Sequence, residues 1–231
     1  MKPLVIFDFD GVIADSEIIA LAELQTCLAA HGLDLSMETL IDRFLGASLA
    51  SITQALADHT GADVAGDFRE AWYSGLFARY RCELTAVPGI NALFDFLDEA
   101  RIDYCIASGS SHRRLGFALD CLDLTERFAG RAFSAEDVMT GKPEPDLMLL
   151  AAHRRGAACQ DCIVVEDATA GVLSARRAGM RAVGFVGGSH LKDLREHQSR
   201  RLTEAGTFAT AIDHGHTREF LRGMLDSKGM D

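Results

Sequence analysis

Five short apolar runs, each closed by a polar or glycine-rich turn, constrain this chain more than any other feature of its sequence. The first, residues 3–7, shows no alternation of polar and apolar positions, as a strand buried on both faces requires, and it stops abruptly at Asp8-Phe9-Asp10-Gly11. Residues 104–107 run into Ser108-Gly109-Ser110-Ser111, and residues 162–165 into Glu166-Asp167. Two weaker runs follow, at 182–186 and 207–209. Between the runs, apolar residues recur at helical spacing. Leu93, Phe94 and Leu97 mark a helix over 91–100, and Leu115, Leu119 and Leu122 another over 113–122. A third, over 145–155, begins at Pro145, and a fourth, over 170–178, stops at Gly179, where proline and glycine suit a first turn and a C-terminal cap. Strand and helix in repeated alternation predict an α/β fold with a doubly wound, Rossmann-like parallel sheet.

One stretch breaks the alternation. Residues 15–84 hold no strand pattern but four helical segments, at 17–30, 37–45, 50–59 and 66–80. They predict an all-helical cap domain over 15–84, inserted into an α/β core domain of residues 1–14 and 85–231. A chain of 231 residues, 48% apolar and 25% charged, can build both. No apolar run approaches the roughly 20 residues of a membrane helix, and a single Lys2 before a short apolar run is not a signal peptide. A cytoplasmic protein without membrane contact is therefore expected. The net charge of −11 argues against nucleic acid or anionic lipid as partner. The expected partner is a small molecule, and the expected state a monomer or weak homo-oligomer. Of Cys27, Cys82, Cys105, Cys121, Cys159 and Cys162, only Cys159 and Cys162 have a metal-like spacing. A zinc ribbon needs a second such pair, so all six are read as thiols.

In open α/β sheets, ligands bind beyond the carboxyl ends of the strands. Here those ends carry Asp8, Asp10, Ser108, Glu166 and Asp167. A single Asp after a strand is ordinarily a turn residue or a helix cap; acids at successive strand ends are not explained that way. Four carboxylates so close raise one another's pKa unless a cation is present, and oxygen ligands suit a hard ion such as Mg²⁺. Lys142, set between Gly141 and Pro143, is the candidate cation that admits an anion. Ser108 and the backbone N–H groups of Gly109 and Ser110, at a loop-to-helix junction, suit phosphate oxygens.

Asp8-Phe9-Asp10-Gly11-Val12, Ser108, Lys142-Pro143 and Glu166-Asp167 resemble, in this order, the four motifs of the haloacid dehalogenase superfamily. The resemblance covers nearly the whole chain. The helical insert is similar to the cap of the subfamily that includes β-phosphoglucomutase, phosphoglycolate phosphatase and sugar-phosphate phosphatases. It implies a phosphorylated small-molecule substrate and a covalent two-step reaction. Asp8 is then the nucleophile, and Asp10 the acid for the leaving group and the base for water. The Mg²⁺ ligands implied are a carboxylate oxygen of Asp8, the carbonyl of Asp10 and the carboxylate of Asp167, with Glu166 close by. Ser108, Gly109 and Lys142 hold the phosphoryl oxygens. Asp10 excludes carbon–halogen cleavage, which needs no leaving-group acid. A receiver domain also gathers acids, a hydroxyl and a Lys, for regulation rather than turnover, but it is about half this length and has no cap.

The resemblance also separates mutase from phosphatase. β-Phosphoglucomutases carry a His on the first cap helix, gating the acid/base Asp, and an Arg after the cap's Gly loop. The corresponding positions here are Ala20 and Leu49, so the restraint on Asp10 is expected to be missing and net hydrolysis is favoured. His112, Arg43, Arg79 and Arg81 are weaker candidates for substrate contact, read first as surface residues. His214 and His216 show no metal-ligand pattern.

Overall fold

The structure, a computed structural model, describes residues 3–44, 47, 49–62 and 65–228, with side chains to residue 223. Strand β1 (Leu4–Phe7) is followed by four helices without an intervening strand: α1 (Glu17–Ala30), α2 (Met37–Phe44), α3 (Leu49–Thr60) and α4 (Ala65–Glu83). The alternation then resumes with α5 (Ile90–Glu99), β2 (Asp103–Ser108), α6 (His112–Cys121), β3 (Ala132–Ser134), α7 (Asp146–Arg155) and β4 (Cys162–Glu166). It closes with α8 (Thr169–Arg177), β5 (Arg181–Phe185), α9 (Arg195–Ala205), β6 (Ala209–Ala211) and α10 (His214–Lys228). All six strands are parallel, in the order β3-β2-β1-β4-β5-β6. The chain moves outward from β1 to one edge, then crosses back and moves to the other. β1 therefore lies at the switch point, where a crevice opens at the strand ends.

The two faces of the sheet explain the unbroken apolar runs. Val5, Phe7, Tyr104, Ile106 and Val165 pack on one face against Leu93 and Phe94 of α5 and Leu115 of α6. Leu4, Ile6, Cys105, Ala107 and Val164 pack on the other against Leu147 and Met148 of α7 and Val172 of α8. Each fully buried aliphatic or aromatic side chain contributes about 1.5–3 kcal/mol. Phe94 stacks on Tyr104 at 5.3 Å and meets Phe7 edge-on at 5.7 Å, wedging α5 onto the centre of the sheet. The core of the helical segment is continuous with the first face through Leu28, Leu40, Leu56, Phe68 and Leu76.

The four helices between β1 and α5 fall where the sequence predicts them, although residue 45, at the expected end of the second, lies outside the described residues. β3 was not anticipated, because a three-residue edge strand leaves no apolar run. The last strand lies at 209–211 rather than 207–209. Helices α9 and α10 were not anticipated either: α9 buries only Gln198, Leu202 and Ala205 of its eleven residues, so its periodicity is faint. Among the described residues no helix is long and apolar enough to cross a membrane.

Candidate active site

The acids predicted at the strand ends converge. Register sets the edge: Phe7 lies opposite Ile106 of β2 and Val165 of β4, so Asp8, Ser108 and Glu166 leave the sheet on the same side. Asp8, Glu166 and Asp167, all buried, offer carboxylate oxygens within 4.8 Å of one another. Lys142 reaches in from the loop before α7, and its Nζ donates to Asp8 Oδ1 at 2.5 Å and to Glu166 Oε2 at 2.7 Å. Glu166 Oε1 accepts the N–H groups of Asp167 and Ala168, so this carboxylate steers the lysine and ties down the turn behind it.

Burial pushes the Asp8 carboxyl up to about 7, with Glu166 adding to the rise and Lys142 opposing it. Burial likewise raises Asp167 to about 6, against the pull of His190. Glu166 is also raised, by burial first. One lysine among three buried acids leaves an excess of negative charge. The donor atoms are oxygens and Asp167 Oδ2 is buried without a hydrogen-bond partner, so the group fits a hard divalent cation.

Asp10 faces the helical segment, and its carboxylate is fully engaged. Oδ1 accepts from Ser16 Oγ at 2.5 Å and from Arg114 Nη2 at 2.7 Å, and Oδ2 from Ser110 Oγ at 2.6 Å. At Ala20, α1 carries only a methyl group. No imidazole stands on α1 at that position, yet Asp10 is restrained, by an arginine of α6 and two serines. Arg114 itself joins core to cap: Nε donates to Tyr80 Oη at 3.1 Å, Nη2 lies 3.7 Å from Glu17 Oε1, and the guanidinium covers the Trp72 ring. Burial raises the Glu17 carboxyl against the pull of Arg114.

Ser108 ends β2 wholly buried, its Oγ accepting the Ser110 N–H at 3.0 Å, while Gly109 is exposed at the turn. Ser134 Oγ at the end of β3 donates to the Ser110 carbonyl at 2.7 Å, so the unanticipated strand fixes this turn. The weaker candidates are engaged elsewhere. His112 pairs with Asp137 at the rim, Arg79 with Glu83, Arg81 covers Phe117 and Arg43 covers Phe44. His214 is buried and donates from Nε2 to the Val12 carbonyl at 2.9 Å, beneath the Asp8–Gly11 turn.

Four further residues surround the acids, from places where the local signal is weaker. Ser16, Glu17 and Arg114 lie just beyond the first motif and the Ser108 turn. His190 sits on a single 3-10 turn (Ser189–Leu191) after β5, with Nε2 3.3 Å from Asp167 Oδ2. Burial would lower its pKa, but Asp167, Glu17 and Asp15 together hold it above the ordinary range. The same strand-end rule that picked out Asp8 applies to Gly187-Gly188-Ser189-His190, had the rule been extended from acids to imidazoles. Gly11, at φ 79°, closes the turn; a Cβ there would collide with Asp167 Oδ2 and His190 Cε1.

The chain matches known proteins along most of its length. Residues 5–185 match the family model described as haloacid dehalogenase-like hydrolase. A 6-phosphogluconate phosphatase of Escherichia coli is 30% identical over 82% of this chain and 85% of its own. Hexitol phosphatase A of the same organism is 34% identical over 77% and 80%. A solved haloacid dehalogenase-like protein from Agrobacterium tumefaciens superposes with a TM-score of 0.80 at 30% identity, over 97% of this chain and 100% of its own.

Proposed function

The chain belongs to the haloacid dehalogenase-like hydrolases and is a phosphoric monoester hydrolase among them; from that premise we propose that Asp8 takes the phosphoryl group of a small sugar phosphate or sugar-acid phosphate and water then removes it. The observation that carries the reading is the Asp8 carboxylate at the end of the central strand, bonded to Lys142 and clustered with Glu166 and Asp167. An Asp8 oxygen attacks phosphorus, and the bond from phosphorus to the sugar oxygen breaks. Asp10 gives that oxygen its proton. Asp10 then takes a proton from water as the water attacks the aspartyl phosphate, and phosphate leaves with Asp8 restored. Lys142 and the turn at Ser108 and Gly109 hold the phosphoryl oxygens. Residues 15–84 form the cap that shuts water out, with Arg114 anchoring Asp10 beneath it.

Asp8, Asp167 and the Asp10 carbonyl, with Glu166 beside them, would hold Mg²⁺. When bound, the ion supplies positive charge against the phosphoryl oxygens and the buried acids. The substrate class is supported by the sugar-phosphate and sugar-acid phosphatases among the relatives. The test is phosphate release from 6-phosphogluconate and hexitol phosphates, with Mg²⁺ and with chelator, using Asp8→Asn as control. Phosphate equal to substrate consumed, lost with chelator and with Asp8→Asn, is expected. Conversion of β-glucose 1-phosphate to glucose 6-phosphate faster than phosphate appears would make the protein a mutase instead.

A further inference from the structure

We propose that His190 is a positioning residue for the cation site, its imidazole N–H holding the Asp167 carboxylate through Oδ2 in the orientation the ion needs. The inference rests on the Mg²⁺ reading above and adds to it a residue outside the acid cluster. His190 Nε2 and Asp167 Oδ2 face each other at 3.3 Å. The side chain of His190 is only 1% exposed, and apart from this approach neither imidazole nitrogen nor Asp167 Oδ2 has a polar partner. Leaving a buried polar atom unpaired costs about 1–3 kcal/mol, so the approach of Nε2 to Oδ2 is the contact that offsets the burial of both groups.

The surroundings fix both partners. Gln198 Nε2 donates to the Asp167 carbonyl at 2.6 Å, holding the backbone of Asp167 from α9. The N–H and Oγ of Ser189 both donate to Asp15 Oδ1, at 3.0 and 2.7 Å, which pins the turn carrying His190. Gly11 closes over the pair, leaving no room for a side chain between them and the Asp8–Asp10 turn. Among the described residues the group able to share one ion is Asp8, Glu166 and Asp167, without His190. The imidazole therefore acts through Asp167 rather than as a ligand. Outer partners of this kind orient a ligating group, and their loss typically costs about 10–100-fold in metal affinity.

The experiment is calorimetric titration of Mg²⁺ into wild type, His190→Ala and His190→Gln, with circular dichroism to confirm that each is folded. Gln is chosen because its amide N–H stands near the place of imidazole Nε2. We expect His190→Ala to bind Mg²⁺ about 10–100-fold more weakly and His190→Gln to recover most of the loss. With p-nitrophenyl phosphate as substrate, the Mg²⁺ concentration for half-maximal rate should rise in His190→Ala while kcat at saturating Mg²⁺ stays near wild type. Unchanged affinity in His190→Ala overturns the proposal. So does a folded His190→Gln as weak as His190→Ala, because the donated N–H is then not the cause. If wild type itself does not bind Mg²⁺, the cation reading fails first, an outcome distinct from either of these.

Discussion

With a tenth of its side chain exposed, Lys142 stands between Asp8 and Glu166. Removing one member of a buried charge group leaves its partners uncompensated, at a cost of about 3–5 kcal/mol. Lys142→Met should therefore lose stability on that scale in urea denaturation with chelator present, and Mg²⁺ should restore part of it. A loss under about 1 kcal/mol would mean that water already screens the acids. Asp10→Asn keeps the shape but removes the proposed proton carrier and the charge partner of buried Arg114, so it should lower kcat by about 10²–10⁴-fold and lower the melting temperature as well. Asp8, Asp10, Lys142, Glu166 and Asp167 were legible because each ends a strand or sits in a Gly/Pro turn, positions set by local sequence. Arg114 was not, because its partner Asp10 lies 104 residues away and a helical arginine looks like any surface cation. His190 escaped for a different reason: it follows the end of β5, where the strand-end rule was applied to acids and hydroxyls but not to imidazoles.

Among the elements, α10 shows most clearly what periodicity leaves unseen. Its first residue, His214, stacks on Phe185 at 4.4 Å and donates to the Val12 carbonyl, tying the last helix to the turn beyond β1. Burial lowers its pKa from 6.5 to about 4. Between those values the unfolded chain takes up a proton that the folded one refuses. This contribution is complete above the unfolded value and is lost as pH falls toward the folded one. His214→Ala should cost about 2–4 kcal/mol at neutral pH through lost stacking and a lost hydrogen bond. The gap between wild type and variant should narrow on acidification to about pH 5. A gap that stays constant from pH 8 to about 5 would show that the imidazole titrates normally. A His in a polar stretch gives no sign of this burial, whereas the unbroken apolar runs of β1, β2 and β4 declare theirs. The helices between β1 and α5 were legible because each carries its own apolar face, and β3 was not because its place depends on β2.

At the scale of the molecule, the net charge of −11 and the cluster of buried acids act in the same direction. Folding holds protons on Asp8 up to about 7 and on Asp167 up to about 6, against an ordinary 3.8. Between those values the folded state binds more protons than the unfolded one, so without a cation these two groups cost stability as pH rises. The rise in melting temperature given by Mg²⁺ should therefore grow from about pH 5 to about pH 8, in scans with the ion and with chelator. A constant increment would show that the acids are already ionised without it.

The central position of β1 also has a consequence for synthesis. Leu4–Phe7 is made before both of its neighbours, and its pairing with Cys162–Glu166 waits for roughly 160 further residues. At about 5–20 residues per second, that wait is on the order of ten seconds. The helices α1–α4 gather from neighbouring stretches of chain, while the parallel pairings of β1 close only across long separations and are slow for that reason. A nascent chain thus carries the most apolar strand of the sheet, with Asp8 at its tip, exposed on both edges until β2 and then β4 emerge. Chaperones that shield such a strand should matter most for this protein in the interval between the appearance of the cap and that of Glu166.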